Sequence, residues 1–212
     1  MKASLHKRYL LEDPKGETCF LLTKLLKLIY YSITTFTQKI KMHFWGIEVG
    51  KNVKICGNIL VSRFQNSTIK IGMNCKFISS SMSNFRGINH RCIIQTGDEG
   101  AVIEIGDNCG FSGVSIVANK LIKISNNVMV GANTIIGDRD DHPDRLHTEP
   151  SPIIIDEGVF IGMNCIVMKG VHIGANSIIG AGSIVTKDIP ENVVAVGNPC
   201  KVVKEINKKY EK

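Results

Sequence analysis

Aliphatic residues recur at a fixed interval of six along most of this chain. The interval runs without a slip through Ile155, Ile161, Val167, Ile173, Ile179 and Val185, and shorter runs link Ile105, Phe111 and Val117, then Ile124, Val130 and Ile136. Gly usually follows the aliphatic residue, and a small or polar residue, often Asn, comes two residues after that Gly. Both Gly and Asn tolerate the backbone conformations of tight corners. Three such units form one triangular turn, so the pattern predicts a solenoid of about seven turns of short strands.

The pattern is weaker before residue 100. Two partial runs, 49/55/61 and 71/77, fit the interval, but the stretch from 79 to 102 cannot be placed in register. Stacked turns share a continuous core, so irregular early turns are compatible with the same solenoid.

One segment breaks the rhythm completely. After Ile136 the next unit is due at 142, yet the pattern resumes only at Ile155, which leaves thirteen extra residues. Insertions in solenoids form loops on one face, often the binding face. This loop, 138–152, contains Asp138, Asp140 and His142 in a D-x-D-x-H arrangement followed by Pro143. Histidine titrates near neutral pH and suits general-base chemistry. A carboxylate could orient it, although aspartates also form ordinary loop turns.

The N-terminal residues carry most of the net charge. The 212-residue chain has a formal charge of +7, and residues 1–55 hold ten Lys or Arg against four acids. No recognition helix, zinc finger or aromatic stacking platform accompanies this charge, so a nucleic-acid partner is not predicted. Seven scattered cysteines without a C-x-x-C pair are typical of a reducing compartment, and a cytoplasmic location is expected.

Residues 17–45 contain no Gly or Pro, and their apolar residues follow helical spacing. The sequence therefore predicts a basic amphipathic helical segment within residues 1–46. Lys24 and Lys27 interrupt it, and its uncharged run is shorter than the roughly twenty residues of a membrane span, so a span is not expected. Two interpretations stay open: a helix packed on the protein or a neighbouring subunit, and a helix lying on the inner membrane surface.

The repeat, the His-Pro loop and the ending "GAGSIVTKDIPENVVAVGNPCKVVKEI" together resemble the left-handed parallel β-helix acyltransferases. Within them the chain is similar to galactoside, maltose and nodulation-factor O-acetyltransferases, and most of all to those of capsule, exopolysaccharide and O-antigen clusters. The resemblance implies an all-β solenoid over 47–199, an N-terminal helix, and a basic tail with a short helix over 200–212. It also implies a homotrimer with active sites between subunits, and acetyl transfer from acetyl-CoA to a sugar hydroxyl.

The same resemblance assigns residues to the reaction. His142 is the expected general base, with Asp140 and then Asp138 as candidates for orienting it. Ser112 in "GFSG", with Asn89 and His90 in "GINH", are the candidates for binding the acceptor, and Ser112 departs from the asparagine of the galactoside enzymes. The donor groove and its phosphate contacts are expected from Gly162, Met163, Gly180, Ala181, Thr186, Lys187, Lys201 and Lys204.

Other enzyme classes remain as alternatives. A serine- or amino-sugar-type acetyltransferase would share donor and histidine chemistry, although the long helical domain of the serine enzymes is missing. A γ-class-like zinc carbonic anhydrase would use His142, His147 and His90 as ligands. His142 and His147 both lie in the Pro-rich loop 138–152 rather than on regular turns, so no metal is expected.

Overall fold

A computed structural model describes residues 13–84, 87–140 and 149–206, and in these residues one long helix precedes twenty short strands in three sheets. Helix α1 is Pro14–Phe44, and a 3-10 turn covers Ser81–Ser83. Sheet A contains β1 Glu48–Val49, β4 Thr68–Ile71, β7 Val102–Ile105, β10 Leu121–Ile124, β13 Ile153–Ile155 and β16 His172–Ile173. Sheet B contains β2 Lys54–Cys56, β5 Lys76–Ile78, β8 Gly110–Ser112, β11 Met129–Val130, β14 Phe160–Ile161, β17 Ile178–Ile179, β19 Val193–Val196 and β20 Lys201–Glu205. Sheet C contains β3 Leu60–Ser62, β6 Ile93–Thr96, β9 Ser115–Ala118, β12 Ile135–Gly137, β15 Ile166–Val167 and β18 Ile184–Val185.

From β1 to β18 successive strands pass from sheet A to B to C, and each of them pairs in parallel with the strand one turn away. The described strands make six complete turns, and β19 begins a seventh. The predicted left-handed parallel β-helix with an N-terminal helix is confirmed. The segment that could not be placed in register contains an insertion between β5 and β6.

The predicted aliphatic rows form the core. Ile155, Ile161, Ile173 and Ile179 are fully buried, and the other inward rows join them in one cluster along the prism. One prediction is wrong: Val117 lies on the outer side of β9, and Ile116 takes the inward position. The corner before β9 is one residue shorter than its neighbours. Gly113 makes that turn with a left-handed φ of 53°, which shifts the alternation by one.

Asparagine dominates the corners. Nine asparagines have φ between 53° and 61°, namely Asn52, Asn66, Asn74, Asn108, Asn127, Asn133, Asn164, Asn176 and Asn192. Asparagine tolerates the left-handed region better than other residues that carry a side chain. Stacked asparagines also bond to one another: the amide of Asn52 donates to Asn74 over 3.2 Å, and that of Asn74 donates to Asn108 over 3.0 Å.

Helix α1 covers the open end of the first turn. The Asp13 carboxylate caps its start by accepting from Gly16 N, and Met42 inserts fully buried into the prism core. Thr34 donates to Ile55 O over 2.7 Å, and Ile55 N donates to the hydroxyl of Thr35 over 2.9 Å. These hydroxyls satisfy backbone groups at the free edge of β2. By length and composition α1 is also apolar enough to cross a membrane.

The prediction of a short C-terminal helix is wrong for the residues that the structure describes. Residues 201–205 form β20, which runs antiparallel to β19 with a register shift at Val194/Ala195. The free edge of β19 offers a full row of backbone donors and acceptors, and pairing there satisfies more groups than an isolated, exposed helical turn would. Residues 207–212 lie outside the described part of the chain.

Candidate active site

Two edges of the prism border sheet C and carry most of the predicted site residues. The segments that lead from sheet B to sheet C form what we call the B–C corner, and those that lead from sheet C to sheet A form the C–A corner. The loop 138–152, called the arm here, leaves the C–A corner between β12 and β13.

The arm leaves and returns at one point. Ser151 N donates to Asp138 O over 2.9 Å, and Gly170 N donates to Ser151 O over 3.0 Å, which ties the arm to the next turn. The Asp138 carboxylate is completely buried and accepts from the backbone N–H groups of residues 119–121 over 2.6, 2.7 and 2.8 Å. Both oxygens of Asp138 are therefore engaged by the turn before the arm, so this carboxylate anchors the arm's first residue.

The next two arm residues form ion pairs. Arg139 contacts Asp98 over 2.7 Å, and the Asp140 carboxylate lies 3.2 Å from the ammonium of Lys169, both ends being partly exposed. Lys169 belongs to the same corner one turn further, and sequence reasoning missed it because a lysine in a corner carries no signal by itself. One buried carboxylate and two ion pairs thus fix the residues where the arm leaves the prism.

The predicted general base, His142, belongs to the arm by sequence. His142 and His147 lie in residues 141–148, outside the described part of the chain. What the structure supplies is the position of the arm's two ends at the C–A corner.

Two of the three acceptor candidates meet at the B–C corner. His90 Nδ1 lies 2.5 Å from Asn89 Oδ1, and its Nε2 lies 3.2 Å from the hydroxyl of Ser115. An amide oxygen only accepts, so in the neutral imidazole Nδ1 carries the proton and Nε2 accepts from the Ser115 hydroxyl. The backbone N–H of Asn89 donates to Oδ1 of Asn133 over 3.0 Å, and this hydrogen bond holds the segment in place. Sequence reasoning missed Ser115 and Asn133, because the stretch 79–102 that contacts them could not be placed in register.

Ser112 lies beside this group at the end of β8. Its carbonyl accepts from Asn133 N over 3.1 Å, and its side chain is half-buried. All three acceptor candidates therefore share the B–C corner, on the opposite edge of sheet C from the arm.

The donor candidates divide between the two corners and the last strand. Gly162, Met163, Gly180 and Ala181 stack in adjacent turns of the B–C corner, whereas Thr186 and Lys187 are exposed at the C–A corner after β18. Lys201 and Lys204 are exposed on β20 in sheet B. A Cβ placed on Gly162 would lie 2.5 Å from Ala181 N, so stacking alone requires this glycine.

Among the described residues, no three His, Cys, Asp or Glu side chains come together as a metal site. His90, the third histidine of the zinc alternative, uses both ring nitrogens in contacts with Asn89 and Ser115. A cation-binding role for His90 would require breaking these contacts.

Known proteins resemble this chain over its repeats. Residues 152–187 match the model described as the hexapeptide repeat of succinyl-transferase. The galactoside O-acetyltransferase of Escherichia coli is 44% identical over 51% of this chain and 56% of its own length, and that of Lactococcus lactis is 39% identical over 65% and 63%. The chain thus spans less than two thirds of either relative. A hexapeptide-repeat acetyltransferase of Vibrio cholerae, solved with acetyl coenzyme A, shares the fold at a TM-score of 0.53 and 20% identity, covering 87% of this chain and 85% of its own.

Proposed function

We propose that the chain is an acetyl-CoA-dependent O-acetyltransferase of the hexapeptide-repeat family, a proposal that the match over residues 152–187 and the parallel β-helix support. The acceptor is a sugar hydroxyl, in the biosynthesis of a bacterial surface polysaccharide. The observation that carries the proposal is the arm: a histidine-bearing insertion whose ends are bonded together at one corner of the prism. The names of the two galactoside O-acetyltransferases support the reaction class.

In the proposed reaction His142 is the general base. Its imidazole takes the proton of the acceptor hydroxyl while the oxygen attacks the thioester carbonyl, and the C–S bond then breaks. The proton passes to the departing CoA sulfur, so the products are the acetyl ester and the free thiol. An imidazole is suited to both transfers because it can gain and lose a proton near neutral pH.

The aspartates divide by their contacts. The Asp138 carboxylate is held by three backbone N–H groups, which supports an anchoring role. Asp140 remains the candidate for orienting His142, with Lys169 beside it. The ion pair with Lys169 fixes the position of this carboxylate, and a carboxylate can accept from an imidazole N–H.

The donor would bind along the edge of the prism near the arm. Met163, Gly180 and Ala181 supply small or flexible surface at one corner, and Thr186 and Lys187 follow the arm along the other. Lys201 and Lys204 are exposed cations suited to the phosphates of CoA. Because the candidates occupy both edges of sheet C, a complete site is expected between neighbouring prisms of a cytoplasmic homotrimer.

The test is release of CoA thiol from acetyl-CoA, followed with a thiol reagent, over a panel of free, nucleotide-linked and lipid-linked sugars. His142→Ala is expected to lower the rate of transfer by about a hundredfold to ten-thousandfold, the range typical of a missing general base. CoA binding, measured by calorimetry, and the trimer mass, about three times the 23.3 kDa of the chain, should be unchanged.

His147→Ala is the matched control, because it removes the other histidine of the same arm. It should retain activity close to that of the wild type. Transfer near the wild-type rate in His142→Ala would refute the assignment. Equal losses in both variants, with stoichiometric zinc by elemental analysis, would favour the metal alternative.

A further inference from the structure

Helix α1 presents a continuous apolar stripe to solvent. Leu22, Leu26, Ile29, Ile33, Phe36 and Ile40 follow one another at intervals of four and three, which places them along one face. Each is between 48% and 68% exposed. Between the first and the last of these residues the helix rises roughly 27 Å. In a monomeric soluble protein, such a row of large exposed side chains marks an interaction surface.

The stripe lies opposite the face that binds the prism. Thr34, Gln38 and Met42 contact the first turn, through hydrogen bonds to β2 and Asn58 and through insertion into the core. These residues are half a helical turn away from the stripe. The described part of the chain therefore fixes α1 across the base of the prism with the stripe pointing outward.

This attachment to the prism favours a helix that lies on a membrane surface over a transmembrane helix. The stripe continues to Ile40, alongside the segment that is bonded to β2. A span formed by the N-terminal half would leave Phe36 and Ile40 uncovered. It would also place Lys24 and Lys27 inside the hydrocarbon. A helix lying flat covers the whole stripe and leaves the lysines in the headgroup region.

The charge of α1 selects an anionic surface. Residues 14–44 contain five lysines and one acidic residue, Glu17. A second copy of α1 packed on the stripe would add five more lysines to this surface and one carboxylate. Anionic headgroups complement this excess of positive charge, with an affinity gain of roughly fivefold for each basic residue near the surface.

We propose that α1 lies flat on an anionic phospholipid bilayer, with the stripe inserted at the boundary of headgroups and acyl chains. The prism then stands on the membrane by its base. The arm leaves the fourth turn, about 15 Å above that base at the usual strand spacing. This position suits an acceptor attached to a lipid, although the membrane contact itself does not depend on the proposed acetyl transfer.

The experiment is co-sedimentation of the full chain with vesicles of phosphatidylcholine alone or with about 30% phosphatidylglycerol. Wild type should bind the mixed vesicles and bind neutral ones far less. Ile29→Glu should lower the partition coefficient by roughly tenfold to a hundredfold, the factor that corresponds to burying one aliphatic side chain. Thr23→Glu, which adds the same charge away from the stripe, should bind like wild type to within about fivefold.

Two further readouts make the outcome decisive. The oligomer mass in detergent-free buffer, and thiol release with a soluble acceptor, should be the same in wild type and Ile29→Glu. Failure of wild type to bind anionic vesicles, or equal binding by Ile29→Glu, would overturn the proposal. A smaller oligomer in Ile29→Glu would assign the stripe to a second copy and overturn it as well.

Discussion

Replacing Asp138 with alanine should destabilise the prism strongly. The substitution removes a completely buried carboxylate and leaves three backbone N–H groups of residues 119–121 without their acceptors. Each hydrogen bond to a charged group contributes about 1.5–3 kcal/mol, but losses at one site are not additive because water can enter. We therefore expect the free energy of unfolding to fall by about 3–5 kcal/mol.

Thermal unfolding followed by circular dichroism measures this effect. For a chain of this size about 1 kcal/mol corresponds to roughly 2–4 °C, so Asp138→Ala should lower Tm by roughly 6–20 °C. Asp140→Ala is the matched control, since it removes the same side chain two residues later. Its ion pair with Lys169 is partly exposed and contributes about 0–1 kcal/mol.

Activity of the two variants separates anchoring from orientation of the base. Asp138→Ala should lose activity in parallel with loss of folded protein, whereas Asp140→Ala should lower kcat at unchanged Tm and shift the pH–rate profile. The reasoning about Asp138 fails if both variants melt within about 2 °C of each other.

Two other features make predictions. Gly162→Ala should lower the free energy of unfolding by about 1–3 kcal/mol, because its Cβ would meet the backbone of Ala181. The control Gly137→Ala, whose Cβ would have no neighbour closer than 4.0 Å, should leave thermal unfolding nearly unchanged. An unchanged Tm for Gly162→Ala with a raised KM for acetyl-CoA would instead make Gly162 a groove residue. A thiol reagent at pH 8 should modify only the exposed Cys19 in the native chain and all seven cysteines after denaturation. Burial raises the pKa of Cys92 to about 11, so it stays a thiol at that pH, and a second fast-reacting group would contradict the described packing.

The repeat could be predicted from the sequence because each unit carries its own information. A six-residue unit specifies one inward side chain and one corner, and the row from Ile155 to Val185 is buried as the spacing predicts. Val117 shows the limit of this reasoning. One residue fewer in a single corner reverses the alternation, and the local sequence does not record which corner is short.

The partners of Asp138 and of the C-terminal segment could not be predicted, for a different reason. Asp138 bonds to residues 119–121, which the winding of the solenoid places directly beneath it. Residues 201–205 become a strand because β19 presents an open edge that exists only once the prism has formed. In both cases the deciding contact joins neighbouring turns. The His-Pro arm could be recognised since an insertion interrupts the period, but the period carries no information on how the arm folds.

Sheet B is covered at both ends, by helix α1 beside β2 and by β20 beside β19, and these two covers limit the length of the particle. Each turn pairs with the turn before it and presents the same kind of unpaired strand edge to the turn after it. A prism with bare ends could therefore pair with another prism and polymerise end to end. At one pole the hydroxyls of Thr34 and Thr35 occupy that edge, and at the other pole β20 occupies it while running in the opposite direction. Growth along this sheet stops at both poles, and the stack remains a discrete molecule instead of the first segment of a fibre.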